Sequence, residues 1–251
     1  MNNSICILVD NTAQLPHGPF PGQRLIRTLS LRLDAGSVSV PTPEDFLRTY
    51  RELEHEFSGI IVLVVSSHIL PVAQVARQAA LQHGGMVQIT VLDSKQTGPG
   101  LGMLAQLGAQ AILAGASLPD VEQHLRAAIA SIYTLIHIDA DSLSQSPFLL
   151  AQTEGLPLMS LDDGQLVPYK KIRTRRHLLE SFQEFLEEFE TPSQIACLHG
   201  KDSAIRPRSL RDIAAQNFPE VPFTDLETPP VLARLFGPET VAITVMEPTN
   251  L

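Results

Sequence analysis

Short apolar runs alternate with stretches of helical spacing along the chain. The runs are rich in Ile and Val and are too short for typical helices, so they predict buried strands. They are ICILV (5–9), IIVLVV (60–65), MVQITVL (86–92), TLIHI (134–138), QIACLH (194–199) and VAITV (241–245). Apolar residues at helical spacing predict helices over 43–57, 71–83, 101–115, 119–131, 174–190 and 203–216. Strands and helices that alternate in this way predict parallel crossover units and an α/β fold.

One segment breaks this alternation. Residues 139–157, DADSLSQSPFLLAQTEGLP, are mostly polar and small, so we place the domain boundary there, with domains over 1–140 and 141–251. In the second domain, two strand-like runs flank Asp163-Gly164, which is a strong hairpin signal. The first domain is therefore expected to have a mostly parallel sheet and the second a mixed one.

Charge and cysteine content restrict the possible partners and compartment. The 251 residues include 18 Lys and Arg against 27 Asp and Glu, a formal charge of −9, which argues against nucleic acid or an anionic membrane surface as the main partner. The two cysteines, Cys6 and Cys197, lie in apolar runs, which favours buried thiols over a disulfide framework. No run approaches the roughly 18 apolar residues of a membrane span, so we expect a soluble cytoplasmic protein.

Polar residues follow three of the predicted strands. They are Asp10-Asn11-Thr12, Ser66-Ser67-His68 and Asp93-Ser94-Lys95. In an open α/β sheet, ligands bind beyond the carboxyl ends of the strands, so these tips could converge on one crevice. The alternative interpretation is that Asp, Asn and Ser only cap helices and close turns there.

Enzyme chemistry has weak support in these motifs. Asp10 follows a buried strand as in aspartyl-nucleophile phosphatases, but Thr12 stands where a second carboxylate is needed. Ser66-Ser67-His68 lacks the G-x-S-x-G elbow of serine hydrolases. The glycine cluster of residues 98–102 does not have dinucleotide-loop spacing, and close helix packing explains it better. We therefore predict neither catalytic residues nor a cofactor.

The histidines and acidic residues do not form a metal site by spacing. His68 and His199 could reach a cleft, but no pair of His, Cys or carboxylate residues has the spacing of metal ligands. Structural roles remain the alternative for both histidines. The sequence predicts no metal.

Taken in order, the motifs resemble those of the DegV family of fatty-acid-binding proteins along almost the whole chain. The matching segments are ILVDNTAQLP, VPTPEDFLRTYREL, LVVSSHILPVAQVARQAA, ITVLDSKQTGPGLGMLAQLGAQ, LPLMSLDDGQLVPYKKIRTRRHLLE and IACLHGKD. The resemblance implies two α/β domains with one long-chain fatty acid held between them. It implies no catalysis; several bacterial members present the bound fatty acid to a fatty-acid kinase, which is therefore the expected partner.

The family pattern also implies which residues bind the ligand. It makes Ser67, Ser66, Thr42 and Ser39 the candidates for the carboxylate head group. Asp10, Thr12 and Ser94, at the strand ends, would line the cleft. The pattern places Arg173 and Arg175 at the mouth or partner surface, whereas ordinary basic residues at a strand end are the alternative.

Two family motifs are altered in this chain. The pattern S-S-G-L-S-G-T is replaced by SSHILPV (66–72), and T-H-T-G-P-G by RLFGPE (234–239), while the connection over 141–156 is shortened. If the chain binds fatty acid, His68 or Arg234 could replace the missing donors. The alternative is a divergent binding or interaction protein for another amphipathic ligand, with the carboxylate clamp lost.

Overall fold

A computed structural model of the chain describes residues 4–34, 37–139 and 156–249. The chain divides into two compact units, the first ending at Ile129 and the second beginning at Ala130. This boundary precedes the one predicted at residue 140, because Ile132–His137 pairs with two strands of the second unit's sheet. The shortened connection predicted over 141–156 lies outside the described residues, Leu156 apart.

The first unit contains a parallel sheet, a small hairpin and helices. Its strands are β1 (Ile5–Asp10), β2 (Ile26–Leu29), β3 (Arg32–Asp34), β4 (Ser37–Ser39), β5 (Gly59–Val64) and β6 (Gln88–Asp93). Its helices are α1 (Pro43–Leu53), α2 (Val72–Gln82), α3 (Gly98–Leu113) and α4 (Leu118–Ile129), and a single 3-10 turn covers Gln23–Leu25. The parallel sheet has the order β2-β1-β5-β6, and β3 and β4 form the antiparallel hairpin.

Burial explains why the two central strands form where the apolar runs predict them. Every residue of β1 and β5 is buried, as expected for parallel strands covered on both faces. Helix α1 buries Phe46, Tyr50 and Leu53, which recur at helical spacing on one face. The parallel pairing of β1 with β5 places the carboxyl ends of the two strands next to each other.

The strand order creates a switch point between β1 and β5. From β1 the chain continues to β2 on one side, whereas from β5 it continues to β6 on the other side. Ligands of open α/β sheets bind in the crevice outside such a point, at the carboxyl ends of the strands. We refer to the loops after β1, β5 and β6 at this end of the sheet as the carboxyl edge.

The second unit contains a mixed sheet. Its strands are β7 (Ile132–His137), β8 (Leu156–Asp162), β9 (Gln165–Ile172), β10 (Gln194–His199), β11 (Phe223–Glu227) and β12 (Val241–Met246), in the order β11-β10-β12-β7-β8-β9. Its described helices are α5 (Arg175–Glu187), α6 (Pro207–Asn217) and α7 (Pro230–Phe236). Only β10 and β11 pair in parallel among these strands.

The predicted hairpin is confirmed. Strands β8 and β9 pair antiparallel around Asp163 and Gly164, whose φ angles are 44° and 84°. Two residues with positive φ form the turn that matches the twist of a hairpin. The α/β fold class, with a parallel first sheet and a mixed second sheet, is confirmed as well. Among the described helices, none is long and apolar enough to cross a lipid bilayer.

Candidate functional site

The Asp10 carboxyl joins the loop after β1 to the loop after β5. Its Oδ2 accepts a hydrogen bond of 2.6 Å from the N–H of Val65. Its Oδ1 accepts from the N–H and the hydroxyl of Thr12 at 2.9 and 2.6 Å. Asp10 is almost fully buried, and burial raises the pKa of its carboxyl, while these hydrogen bonds oppose the rise. The hydrogen bond to Oδ2 therefore joins the two loops, and the two hydrogen bonds to Oδ1 fix the loop after β1.

Asn11 fixes the same tip from its other side. Its Oδ1 accepts a hydrogen bond of 2.9 Å from the N–H of Leu31, and its Nδ2 donates to the Leu31 carbonyl at 3.4 Å. Leu31 is buried in the loop that follows β2. The polar tip of the first strand is thus a structural junction between neighbouring loops.

The loop after β5 is held to the loop after β6. The N–H of Ser66 donates to the Gln96 carbonyl at 2.9 Å. The N–H of Ser67 is 3.3 Å from both carboxylate oxygens of Asp93. Three loops are therefore joined at the carboxyl edge, and this brings together five of the predicted residues, Asp10, Thr12, Ser66, Ser67 and Ser94.

Among these five residues, Ser67 has the hydroxyl that is most available to a ligand. Ser67 is half-buried, and its hydroxyl makes no hydrogen bond to any residue that the structure describes. Ser66 is fully buried, and its Oγ accepts a hydrogen bond of 3.2 Å from the N–H of His68. A half-buried hydroxyl beyond a parallel strand is positioned to donate to a ligand at the switch point.

Ser94 closes a turn in the loop after β6. Its hydroxyl donates to the Gln96 carbonyl at 3.2 Å and accepts from the Gln96 N–H at 3.1 Å. Lys95, within this turn, has a φ of 52°. The structure thus accounts for Ser94 as a turn residue, although it lies at the predicted edge.

Thr42 and Ser39 precede α1. This helix leads into β5, which is parallel to β1, so α1 begins at the same end of the sheet as the carboxyl edge. The Thr42 hydroxyl accepts from the N–H of Asp45 at 3.2 Å and lies 3.0 Å from the Asp45 Oδ2. The N–H of Thr42 also donates to Asp45 Oδ2, which completes a capping box and lowers the pKa of Asp45. Ser39 donates to the carboxylate of Asp34 across the small hairpin. Both hydroxyls have partners within the first unit.

The remaining predicted residues are surface groups. His68 is exposed in the loop after β5 of the first unit. Arg234 is exposed on α7 of the second unit, and Arg173 and Arg175 are exposed where β9 leads into α5. The guanidinium of Arg175 lies 3.9 Å from the carboxylate of Glu239.

The sequence analysis missed Thr97, which immediately precedes α3 at the carboxyl edge. Its hydroxyl oxygen is screened from solvent and has no hydrogen-bond partner among the residues that the structure describes. The signal that could have identified it is a hydroxyl residue followed by Gly98 and Pro99, which is typical of a helix start. The glycine cluster that follows serves close packing, because a Cβ at Gly102 would collide with the Gln14 carbonyl oxygen.

Hydroxyls and the amino end of a helix dominate the chemistry of the carboxyl edge. Its carboxylates, Asp10 and Asp93, already accept hydrogen bonds from backbone N–H groups. Neutral hydroxyls and helix N-termini bind an anion such as a carboxylate without a buried countercharge. Within residues 4–34, 37–139 and 156–249, no group of three or more His, Cys, Asp or Glu side chains could hold a metal ion.

Comparison with known proteins identifies related sequences. A family model described as that of uncharacterised proteins of the DegV family matches residues 24–143 and 156–248. A DegV domain-containing protein of Listeria monocytogenes is 24% identical over 281 aligned positions, which cover 97% of this chain and 99% of the relative.

Solved structures share the fold over nearly the whole chain. A DegV family protein from Corynebacterium glutamicum has a TM-score of 0.86 and 21% identity, covering 99% of both chains. DegV from Bacillus subtilis, described as a fatty acid binding protein, has a TM-score of 0.80 and 19% identity, covering 98% of this chain and all of its own. A DegV family protein from Eubacterium eligens, loaded with heptadecanoic acid, has a TM-score of 0.81 and 13% identity, with coverage of 98% and 100%.

Proposed function

The chain belongs to the DegV family, and from that membership we propose that it binds a long-chain fatty acid whose carboxylate is held at the carboxyl edge by the hydroxyl of Ser67. The observation that carries the proposal is that proteins with this fold are described as fatty acid binding, one of them loaded with heptadecanoic acid. The free, half-buried hydroxyl of Ser67 at the switch point supports the assignment of the head group.

The physical chemistry of a fatty acid suits this edge of the sheet. A carboxylate that leaves water needs hydrogen-bond donors, and a hydroxyl that makes no other hydrogen bond can donate without breaking one. The loop that carries Ser67 is fixed by Asp10 on one side and by Asp93 on the other. Such preorganisation lowers the ordering cost of binding.

We further propose a fatty-acid kinase as the partner and Arg173 and Arg175 as part of the partner surface, on the resemblance to the family alone. No catalytic residue is assigned. The second candidate function is binding of another amphipathic ligand, which is favoured by the replacement of SSGLSGT by SSHILPV and of THTGPG by RLFGPE. His68 and Arg234 stay the candidates for replacement donors in the first case.

Substitution of Ser67 by Ala tests the proposal. The loss of one hydrogen bond to a charged carboxylate costs about 1.5–3 kcal/mol, so we expect Ser67→Ala to bind hexadecanoic acid about ten- to hundredfold more weakly. Delipidated protein is titrated with the acid by displacement of a fluorescent fatty acid. Ser209→Ala, on helix α6 of the second unit, is the matched control and should bind as the wild type does.

The other outcomes of this titration would each change the proposal in a specific way. Equal affinity of Ser67→Ala and wild type would remove Ser67 from the head-group site. Loss of affinity in Arg234→Ala alone would move the clamp to the altered turn of the second unit. A wild-type protein that takes up no hexadecanoic acid would favour the second candidate function.

A further inference from the structure

Helix α3 begins with a threonine that does not cap it, unlike the threonines that precede α1 and α5. The hydroxyls of Thr42 and Thr174 accept hydrogen bonds from the N–H three residues on, at 3.2 and 3.1 Å. Thr97 occupies the same position before α3, with φ −149° and ψ 170°, but its side chain makes no such bond. The usual N-cap interaction of a hydroxyl residue is therefore absent at Thr97.

The Thr97 hydroxyl is also buried and unpaired. Thr97 is 4% exposed, and its Oγ1 has no hydrogen-bond partner within residues 4–34, 37–139 and 156–249. A buried hydroxyl without a partner loses its water and gains nothing in return, which is unusual in a folded protein. A ligand oxygen that binds there recovers this lost interaction.

The first turn of α3 is suited to an anion. Residues 98–102 are all buried, and the first turn contains no acidic side chain, in contrast to Glu44 and Asp45 in α1. The partial positive charge of the helix N-terminus is therefore not compensated by the helix's own side chains. The carboxylates of Asp10 and Asp93, at the same edge, accept hydrogen bonds from backbone N–H groups of their own loops, and Asp10 also accepts one from Val65 in the loop after β5.

Thr97 and Ser67 lie on backbone segments that are bonded to each other. The Ser66 N–H donates to the Gln96 carbonyl at 2.9 Å, so Ser67 and Thr97 each follow directly on one partner of this hydrogen bond. Ser67 follows β5 at the switch point, and the Gly98 carbonyl accepts a hydrogen bond of 3.0 Å from the Gln14 N–H in the loop after β1, which places the start of α3 there too. Two hydroxyls without partners at one edge match the two oxygens of a carboxylate.

We propose that the carboxylate of the bound ligand lies at the N-terminus of α3 and accepts a hydrogen bond from the Thr97 hydroxyl. This inference rests on the proposed function. It adds Thr97, which lies outside the altered motifs, to Ser67 as a second donor to the head group. The helix N-terminus makes the site selective for an anionic head group over a neutral one of the same length.

The test compares two head groups on one tail in Thr97→Val, which keeps the shape of the side chain and removes the hydroxyl. We expect Thr97→Val to bind hexadecanoic acid about ten- to hundredfold more weakly than the wild type. Its affinity for hexadecan-1-ol should fall by only about two- to fivefold, because a hydrogen bond to a neutral oxygen is weaker than one to a charged carboxylate. Thr97→Ser, which keeps the hydroxyl, should retain the affinity for the acid.

Thr174→Val is the matched control, since it removes the hydroxyl of a true helix cap in the second unit. It should lower the thermal midpoint and leave the affinity for hexadecanoic acid unchanged. Thr97→Val should instead weaken binding of the acid without lowering the thermal midpoint. If Thr97→Val does not fold, a crystal structure of the wild type with hexadecanoic acid tests the inference instead. It should show Thr97 Oγ1 bonded to the carboxylate, and a Thr97 Oγ1 bonded to water or protein overturns the inference. Wild-type affinity of a folded Thr97→Val overturns it too, while failure of the wild type to bind the acid overturns the proposed function itself.

Discussion

At the scale of single residues, the Asp10 carboxyl is the junction of the carboxyl edge. It is buried, and three hydrogen bonds from Thr12 and Val65 converge on its two oxygens. A ligand would have to break one of these bonds to reach it. Under the proposed function, Asp10 is therefore a positioning residue, which acts through the loop that carries Ser67.

Asp10→Asn tests this position through stability. An amide has one acceptor oxygen where the carboxylate has two, so a buried donor loses its partner, and we expect a loss of about 1–3 kcal/mol in the free energy of unfolding. Burial raises the pKa of Asp10 in the folded chain above the ordinary value of about 3.9. The stability that this group contributes is then full below that value and is lost as pH rises through the folded pKa. Urea unfolding should therefore show the wild type's advantage over Asp10→Asn narrowing from about pH 4 upward.

Asp45 provides a control of opposite sign. The hydrogen bond from the Thr42 N–H lowers the pKa of its carboxyl, so the stability it contributes is present above the unfolded pKa and is lost as pH falls through the folded pKa. The difference in free energy of unfolding between the wild type and Asp45→Asn should therefore widen as pH rises from below the folded pKa of Asp45 to its ordinary, unfolded value. A gap that is independent of pH for Asp10→Asn would contradict the burial of a titrating carboxyl at the junction.

At the scale of elements, the strands that the sequence predicts are those with the strongest apolar signal. Strands β1 and β5 are buried on both faces and read as continuous apolar runs. Strands β2, β3 and β4 are short and contain no buried residue, and Arg and Ser are among their residues. Their pairing therefore depends on neighbours that are distant in the sequence. Tertiary contacts such as Asn11 with Leu31 determine where β2 ends and the hairpin begins.

The start of α1 is an element whose role can be measured directly. Thr42→Ala removes the hydroxyl of the capping box, so we expect a loss of about 1 kcal/mol in the free energy of unfolding. Thr42→Ser keeps the hydroxyl and should unfold within a few tenths of a kcal/mol of the wild type. Urea unfolding of both variants measures the difference. A Thr42→Ala protein as stable as the wild type would mean that the Thr42 hydroxyl does not cap α1 in solution.

At the scale of the whole molecule, the order of motifs predicts two α/β units, and the compact units divide at Ile129, before the predicted boundary at residue 140. The run that becomes β7 has the same apolar pattern as the parallel strands before it, and only its pairing with β8 and β12 assigns it to the second unit. The candidate site, too, can be predicted from the sequence only in part. Strand ends predict which hydroxyls reach the carboxyl edge. Only the hydrogen bonds distinguish Ser94, which closes a turn, from Ser67 and Thr97, whose hydroxyls make no hydrogen bond in the described part of the chain.

The most direct test of the central claim is native mass spectrometry of the full chain, purified from bacterial cells without added lipid. Fatty-acid binding predicts a species heavier than the chain by the mass of one long-chain fatty acid, and this increment should disappear on denaturation. Extraction and analysis of the released lipid then identifies the acid. A chain that carries no fatty acid from cells, and shows no increment after incubation with hexadecanoic acid, would contradict the account.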